Sequence, residues 1–472
     1  MKTENPTGRG REGSKAAVRR MLDSQAQLIN LRPAWKAIGL DRSTFLHPGP
    51  PLEWERAGSL LRGSLMGAAL LEGLADSPPE AEHLLSRSAG PAASGQPLLL
   101  EPGHRHGVVV PGAGIVTAST WLMELQDPTT GRRAWSPLHE GHGAALRHGA
   151  FAPETIHRLR WMHGVLAPMV QMAIWTVVEN IGPIDVQEML RETTFMGDEG
   201  HLNTRAGTLL LMRELVPAML ATASSAGFTS SDVADAANFI CADEDFFCCL
   251  SLPVCKLAAD AARGQPGSGL VVAMSSNGTD FGIQTAGTGH EWFVAPAPVP
   301  EPVERSENDR RQVAPVIGDA AIAETVGLGH CALAVSPRAR SLLRVDLDTL
   351  ASQIKRFEQI CVSDNPALPL PALARSASPT GFDARDIRRT GLLPLLGSWS
   401  LGLVPGSGPL GVGVVEAPLE TFETAVALLA PYDDAEDAPG SSGSTSSGST
   451  SSGAGTAEGF DDLDDLPPTQ EG

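Results

Sequence analysis

The sequence predicts an α+β, multi-lobed protein in which a central, mainly helical region separates two mixed α/β regions, with disordered tails at both ends. Three observations carry this. Ile156, Leu159, Met162, Leu166, Met169, Val170, Ala173, Ile174 and Val177 recur at a 3.6-residue period. Beyond residue 268 the period changes, and Leu270–Met274 and Phe281–Thr285 flank Asn277-Gly278, the strongest short hairpin signal. The 472 residues are also enough for about three domains.

Taken in order, residues 1–25 read as a disordered basic tail. Residues 26–150 form an α/β region, with an extended segment and then a helix over Leu52–Ala75. On that helix Leu60, Leu61, Leu65 and Ala68 share a face, and Gly63 and Gly67 permit close approach. Val108–Val110 and Ile115–Val116 flank Pro111-Gly-Ala-Gly114 and read as strand, turn, strand. Residues 151–263 are mainly helical. Pro168 is expected to kink the first helix, and further helices fall near Arg205–Ala221, Ser231–Ile240 and Asp245–Arg263. The α+β region 264–432 opens with the hairpin, adds a strand at Trp292–Ala295, and continues in short strands and helices. Residues 433–472 form a disordered Gly/Ser linker ending in an acidic peptide. In that peptide, 459–468, Phe460, Leu463 and Leu466 recur among aspartates. It reads either as a solubilising tail or as a peptide that docks on a partner.

The formal charge is −20, from 55 acidic and 35 basic residues. Residues 433–472 hold ten of the acids and no Lys or Arg, so the rest of the chain carries −10. Such a surface disfavours nucleic acid as a partner. Val165–Val178 is short for a membrane span, and Leu392–Val415, though uncharged, carries Pro394, Pro405 and Pro409. The second reads as buried strands and turns, and a soluble cytoplasmic protein with no membrane association is expected. The six cysteines show no disulfide framework, and Cys241, Cys248, Cys249 and Cys255 are expected to be buried structural thiols.

Few motifs point to chemistry. Gly8-Arg-Gly-Arg-Glu-Gly13 matches a dinucleotide fingerprint without a strand before it, and His139-Glu-Gly-His142 misses the zincin spacing. A metal there would need His148 or His104 as a third ligand, so no metal and no cofactor are assigned. More informative are polar runs crowded with Gly and Pro. His47-Pro-Gly-Pro-Pro-Leu-Glu53-Trp-Glu-Arg56 suits either a capped turn or an anion site using His47, Arg56 and Arg62. Gly103-His-Arg-His106-Gly leads into the turn with Gly112 and Gly114, whose backbone N–H groups suit phosphate or carboxylate. The remaining runs hold Asp198, Glu199 and His201; Asn277 and Thr279; Asp319 and Glu324; and Asp383 and Arg385. Together they suggest a site for a small, anionic, amide-like ligand.

HPGPPLEWERAGSLLRGSLMGAALLEG, LHEGHGAALRHGA, IHRLRWMHGVLAP, SSNGTDFGI, IGDAAIAETVGLG and SPTGFDARDIRRTGLLP, in this order, resemble the YlbE-like family. The resemblance spans about residues 30–416. One departure is MGDEGHLNTR, where that family tends to read MGDECHNRN. The family is similar to the AllG subunit of oxamate carbamoyltransferase in allantoin breakdown. The resemblance therefore implies a subunit acting with an acyl-CoA-synthetase-like subunit and a third, small subunit. It also implies carbamoyl transfer on a ureide, of the type oxalurate plus phosphate to oxamate plus carbamoyl phosphate, as in purine degradation. The Ser-Thr-Arg-Thr phosphate loop of ordinary transcarbamoylases is absent from the sequence.

Such chemistry needs cations and N–H donors for two anions and an acid/base for the nitrogen. His47 and His106 are the expected catalytic groups. Arg56, Arg62, Gly112, Gly114, Asn277, Thr279 and Arg385 are the expected substrate or phosphate ligands, with Glu53, Asp198, Glu199, His201, Asp319, Glu324 and Asp383 as further polar candidates. The alternatives are a non-catalytic assembly subunit docked through its acidic peptide, or an amide or ureide hydrolase using water.

Overall fold

A computed structural model describes residues 8–87, 98–302 and 312–434. The acidic peptide 459–468 lies outside them. The architecture is mixed α/β. A four-stranded antiparallel sheet has the order Arg133–Pro137, Trp121–Gln126, Gln27–Pro33, Ile184–Asp185. A second four-stranded sheet runs Ile317–Gly318, Val271–Asn277, Asp280–Thr285, Phe293–Pro296. In a third, Leu395–Leu401 and Pro409–Glu416 pair antiparallel, so the uncharged stretch 392–415 is indeed strand and turn.

From Pro153 to Ala261 the elements are helices joined by loops, the two-residue strand Ile184–Asp185 excepted. The long apolar period is realised as Pro153–Trp161 and Ala167–Asn180, joined by a π-helical turn at Met162–Leu166. That wider turn is the answer to Pro168. Proline has no N–H to donate, and one extra residue in the preceding turn relieves the ring's clash without ending the helix. Pro153–Asn180 is the one stretch among the described residues long and apolar enough to cross a membrane. Met169, Val170, Ala173 and Ile174 are instead fully buried in the main core, which also takes in Leu211, Leu215, Leu250 and Leu257.

Four expectations are corrected. Residues 8–23, expected to belong to a disordered tail, are the helix Gly8–Asp23 with Ala17, Val18 and Met21 in the core. The expected helix 52–75 starts only at Ser59 and ends at Leu71, so Glu53 and Glu55 lie outside its first turn; Trp54–Arg56 is a separate 3-10 turn. Val108–Val110 and Ile115–Val116 are not strands; each makes a single bridge, Val108 to Trp135 and Val116 to Leu46. Cys241 is exposed, whereas Cys248, Cys249 and Cys255 are buried.

Candidate functional site

The hairpin is pinned by its turn. Asn277 is fully buried, accepts the N–H groups of Thr279 and Asp280 at 2.9 and 2.8 Å, and donates to the Pro50 carbonyl at 3.0 Å. Thr279 donates to the carbonyl of Arg56, and the Arg56 guanidinium pairs with Asp280 at 2.8 Å. Arg62 stacks over Trp54 at 5.0 Å and donates to the Glu55 carbonyl. These groups tie the 47–62 segment to the hairpin; Glu53 is exposed beside them. His106 pairs with Glu101 at 2.6 Å, and His47 is buried with its Nδ1 at the Pro48 carbonyl. Arg385 and Asp383 sit elsewhere, by Arg11 and Lys15, where Asp383 accepts from Ser14.

Asp319 is the hub between the glycine turn and the hairpin. It is fully buried and accepts from Gly49 N at 3.0 Å, Val110 N at 2.7 Å and the Ser275 hydroxyl, with His104 Nε2 at 3.3 Å. His104 and these donors hold its carboxyl below the usual range despite burial.

A cavity of about 310 Å³ opens beside this hub, within the ~300–1,000 Å³ typical of ligand pockets. Its floor is backbone. Gly318 has φ +119, and a Cβ there would lie 2.6 Å from Gly112 N; Gly112 has φ +57, and a Cβ there would lie 2.6 Å from the Arg147 carbonyl. Gly318 can lie against the Gly112 backbone, and Gly112 against the Arg147 carbonyl, only because each of these glycines lacks a side chain. Trp399, Leu396 and Phe281 supply apolar walls.

The polar wall comes chiefly from residues 139–148, with Arg147, His139, His142 and His148 all facing the cavity. Arg147 donates one guanidinium N–H to the Gly141 carbonyl at 2.9 Å, while its Nη1 is buried with no hydrogen-bond partner. His139 hydrogen-bonds Asp243 through Nδ1, which leaves Nε2 free of that bond. Burial, and then Arg147, push the His139 pKa down to about 4 and that of His148 down to about 3. Both rings are therefore neutral near pH 7, and His148 Nδ1 is buried without a partner. Arg338 pairs with Glu244 at the same cavity. Burial pushes Asp245, also in the wall, up to about 6.

His201 lines the cavity as well, with Glu324 at 3.2 Å and Glu199 nearby. Asp198 is not in its lining: it accepts Gly207 N at 2.9 Å, in the first turn of the helix Arg205–Thr222. Of the expected residues the cavity therefore gathers Gly112 and His201, with Glu199 and Glu324 behind His201. Gly114 lines a smaller neighbouring pocket. The polar wall at 139–148 was missed as an anion site; its signal was three histidines and an arginine within ten residues. No group of three or more His, Cys, Asp or Glu among the described residues is placed to hold a metal.

Residues 98–320 match the family described as oxamate carbamoyltransferase subunit AllG. The oxamate carbamoyltransferase subunit AllG of Escherichia coli K12 is 29% identical over 422 residues, covering 89% of this chain and 97% of that one. The uncharacterised protein YahG of the same organism is 31% identical over 421 residues, covering 88% of this chain and 84% of that one. A crystal structure of a conserved protein of unknown function from Enterococcus faecalis V583 superposes with a TM-score of 0.84 at 28% identity. It covers 89% of this chain and 98% of that one.

Proposed function

Because the chain belongs to the AllG family, we propose that it is a subunit of a carbamoyltransferase and that the 310 Å³ cavity binds a small ureide together with an anion. The observation that carries this reading is Arg147. A guanidinium in the cavity wall with a buried, unpartnered N–H is a costly arrangement unless an anionic oxygen completes it.

The neighbours of Arg147 extend the reading. His139, held by Asp243, orients a neutral ring whose Nε2 accepts a proton or orients an amide N–H. His148 offers a second neutral ring. Arg338 and His142 add positive or donor groups around the cavity. This combination suits a carboxylate and a phosphate flanking one carbamoyl group, whose transition state carries negative charge on the carbamoyl oxygen and on the phosphate. The relative's name describes a subunit, so partner chains are part of the proposal, an acyl-CoA-synthetase-like chain and a third, small one among them.

The test is to purify the chain with whatever co-purifies through an N-terminal tag, leaving 433–472 free, and to assay oxalurate with phosphate. Phosphate-dependent formation of oxamate and carbamoyl phosphate supports the reading. Turnover that ignores phosphate identifies a hydrolase, and no turnover by any recovered assembly overturns the enzyme reading.

A further inference from the structure

Behind one part of the cavity wall lies a buried cluster that anion binding does not use. Glu199 and Glu324 are both fully buried, and His201 is 7% exposed. Glu324 Oε1 faces His201 Nδ1 at 3.2 Å and is 3.3 Å from the N–H groups of both His330 and Gly397. Glu199 Oε1 accepts the N–H groups of Leu202 and Asn203. The second oxygen of each carboxyl is buried without a partner. The chain makes room for the cluster at Gly329, φ +57, where a Cβ would lie 2.5 Å from Glu324 Oε1 and 3.2 Å from His201 Nδ1.

Carboxyl groups with orphaned oxygens do not lie beside a histidine for packing alone, since each orphan loses its hydration without a replacement. Three acids face this ring, Glu324, Glu199 and Asp245, and they favour its charged form against burial, with His330 the adjoining histidine. Burial in turn raises Glu199 to about 7. With Nδ1 committed to Glu324, Nε2 is the ring nitrogen left to the cavity.

Building on the carbamoyltransferase reading, we propose that His201 is the proton donor of the site, with Glu324 and Glu199 as positioning residues that keep it charged. As a phosphate oxygen bonds to the carbamoyl carbon, the C–N bond breaks and its electron pair goes to nitrogen. The Nε2 proton of His201 moves to that nitrogen, so the leaving group departs as a neutral amide. The ring ends neutral, with Nδ1–H still on Glu324. In the reverse direction the same ring takes the proton back.

Two measurements test this and separate its failure from failure of the functional reading. In the purified chain alone, 15N-histidine NMR, assigned by loss of a signal in H201Q, is expected to show His201 titrating above 6.5. E324Q is expected to lower that midpoint. A His201 midpoint at or below 6.5 overturns the proposal whether or not the chain is an enzyme. In the active assembly, C–N cleavage is expected to decline as pH rises through the His201 midpoint. H201Q should lower kcat by roughly 10²–10⁴-fold and abolish that limb. E324Q should move the limb to lower pH with KM for phosphate unchanged, which a merely structural carboxylate would not do. Retention of the wild-type alkaline limb in either variant overturns the proposal. If H201Q does not fold, E324Q and the wild-type NMR titration decide the matter.

Discussion

The carboxylate of Asp319 accepts the backbone N–H of Val110, 209 positions earlier in the chain, at 2.7 Å. Through the same group it reaches Gly49 and Ser275, so three segments distant in sequence share one buried anion.

Asp319→Ala should accordingly destabilise the fold by about 3–5 kcal/mol, since it leaves two backbone donors unpaired in the interior. Urea unfolding measures this directly. The carboxyl is held below its usual range, so its contribution is present above the unfolded value near 4 and fades as pH falls through the folded one. A loss under 1 kcal/mol would show that the hub is not required.

Arg147→Met should weaken binding of phosphate or oxamate by roughly 10- to 150-fold, the worth of one charge-assisted hydrogen bond. Isothermal titration reads the change. Arg56→Met, which removes only the exposed pair with Asp280, should leave binding nearly unchanged. The opposite ranking would move the anion site to the 47–62 segment.

Stability should fall as pH drops from about 6.5 toward 4, because His139 and His148 are neutral when folded and take protons when unfolded. In that window the unfolded chain binds more protons, so stability rises with pH. His148→Gln should flatten the slope. A midpoint of unfolding that does not respond to pH across this window would contradict the buried neutral rings.

Of the six cysteines, Cys241 is exposed and Cys361 half-buried, while the rest are buried. A thiol reagent at pH 8 should therefore label Cys241 first. Burial raises the thiols of Cys248, Cys249, Cys255 and Cys331, so these should react only on unfolding. Early labelling of Cys248, at the cavity, would mean that the wall opens.

The elements that could be read from sequence are those whose signal is local. The period from Ile156 to Val177 marks a helix, and Asn277-Gly278 marks a hairpin, because turn chemistry and one-sided burial act within a few residues. Apart from the histidines and arginine of 139–148, the cavity has no such signature. It joins Gly112, Arg147, His201, Gly318 and Trp399, which meet only through long-range pairing. Arg56 and Asn277 show the converse: polar and conspicuous in sequence, both are consumed by the turn that fixes segment 47–62. The helix start was misplaced for a related reason. Trp54 packs into the main core as a separate turn, and that contact outweighed the acidic first-turn signal of Glu53 and Glu55.

The floor where Gly112 meets Gly318 also limits how this site can diversify. Backbone against backbone offers nothing to substitute, and the smallest replacement collides at 2.6 Å. Accommodation of bulkier or differently charged molecules must then come from the Trp399 and Leu396 wall or from residues 139–148. Relatives that have parted ways in ligand choice should differ there while leaving both glycines in place.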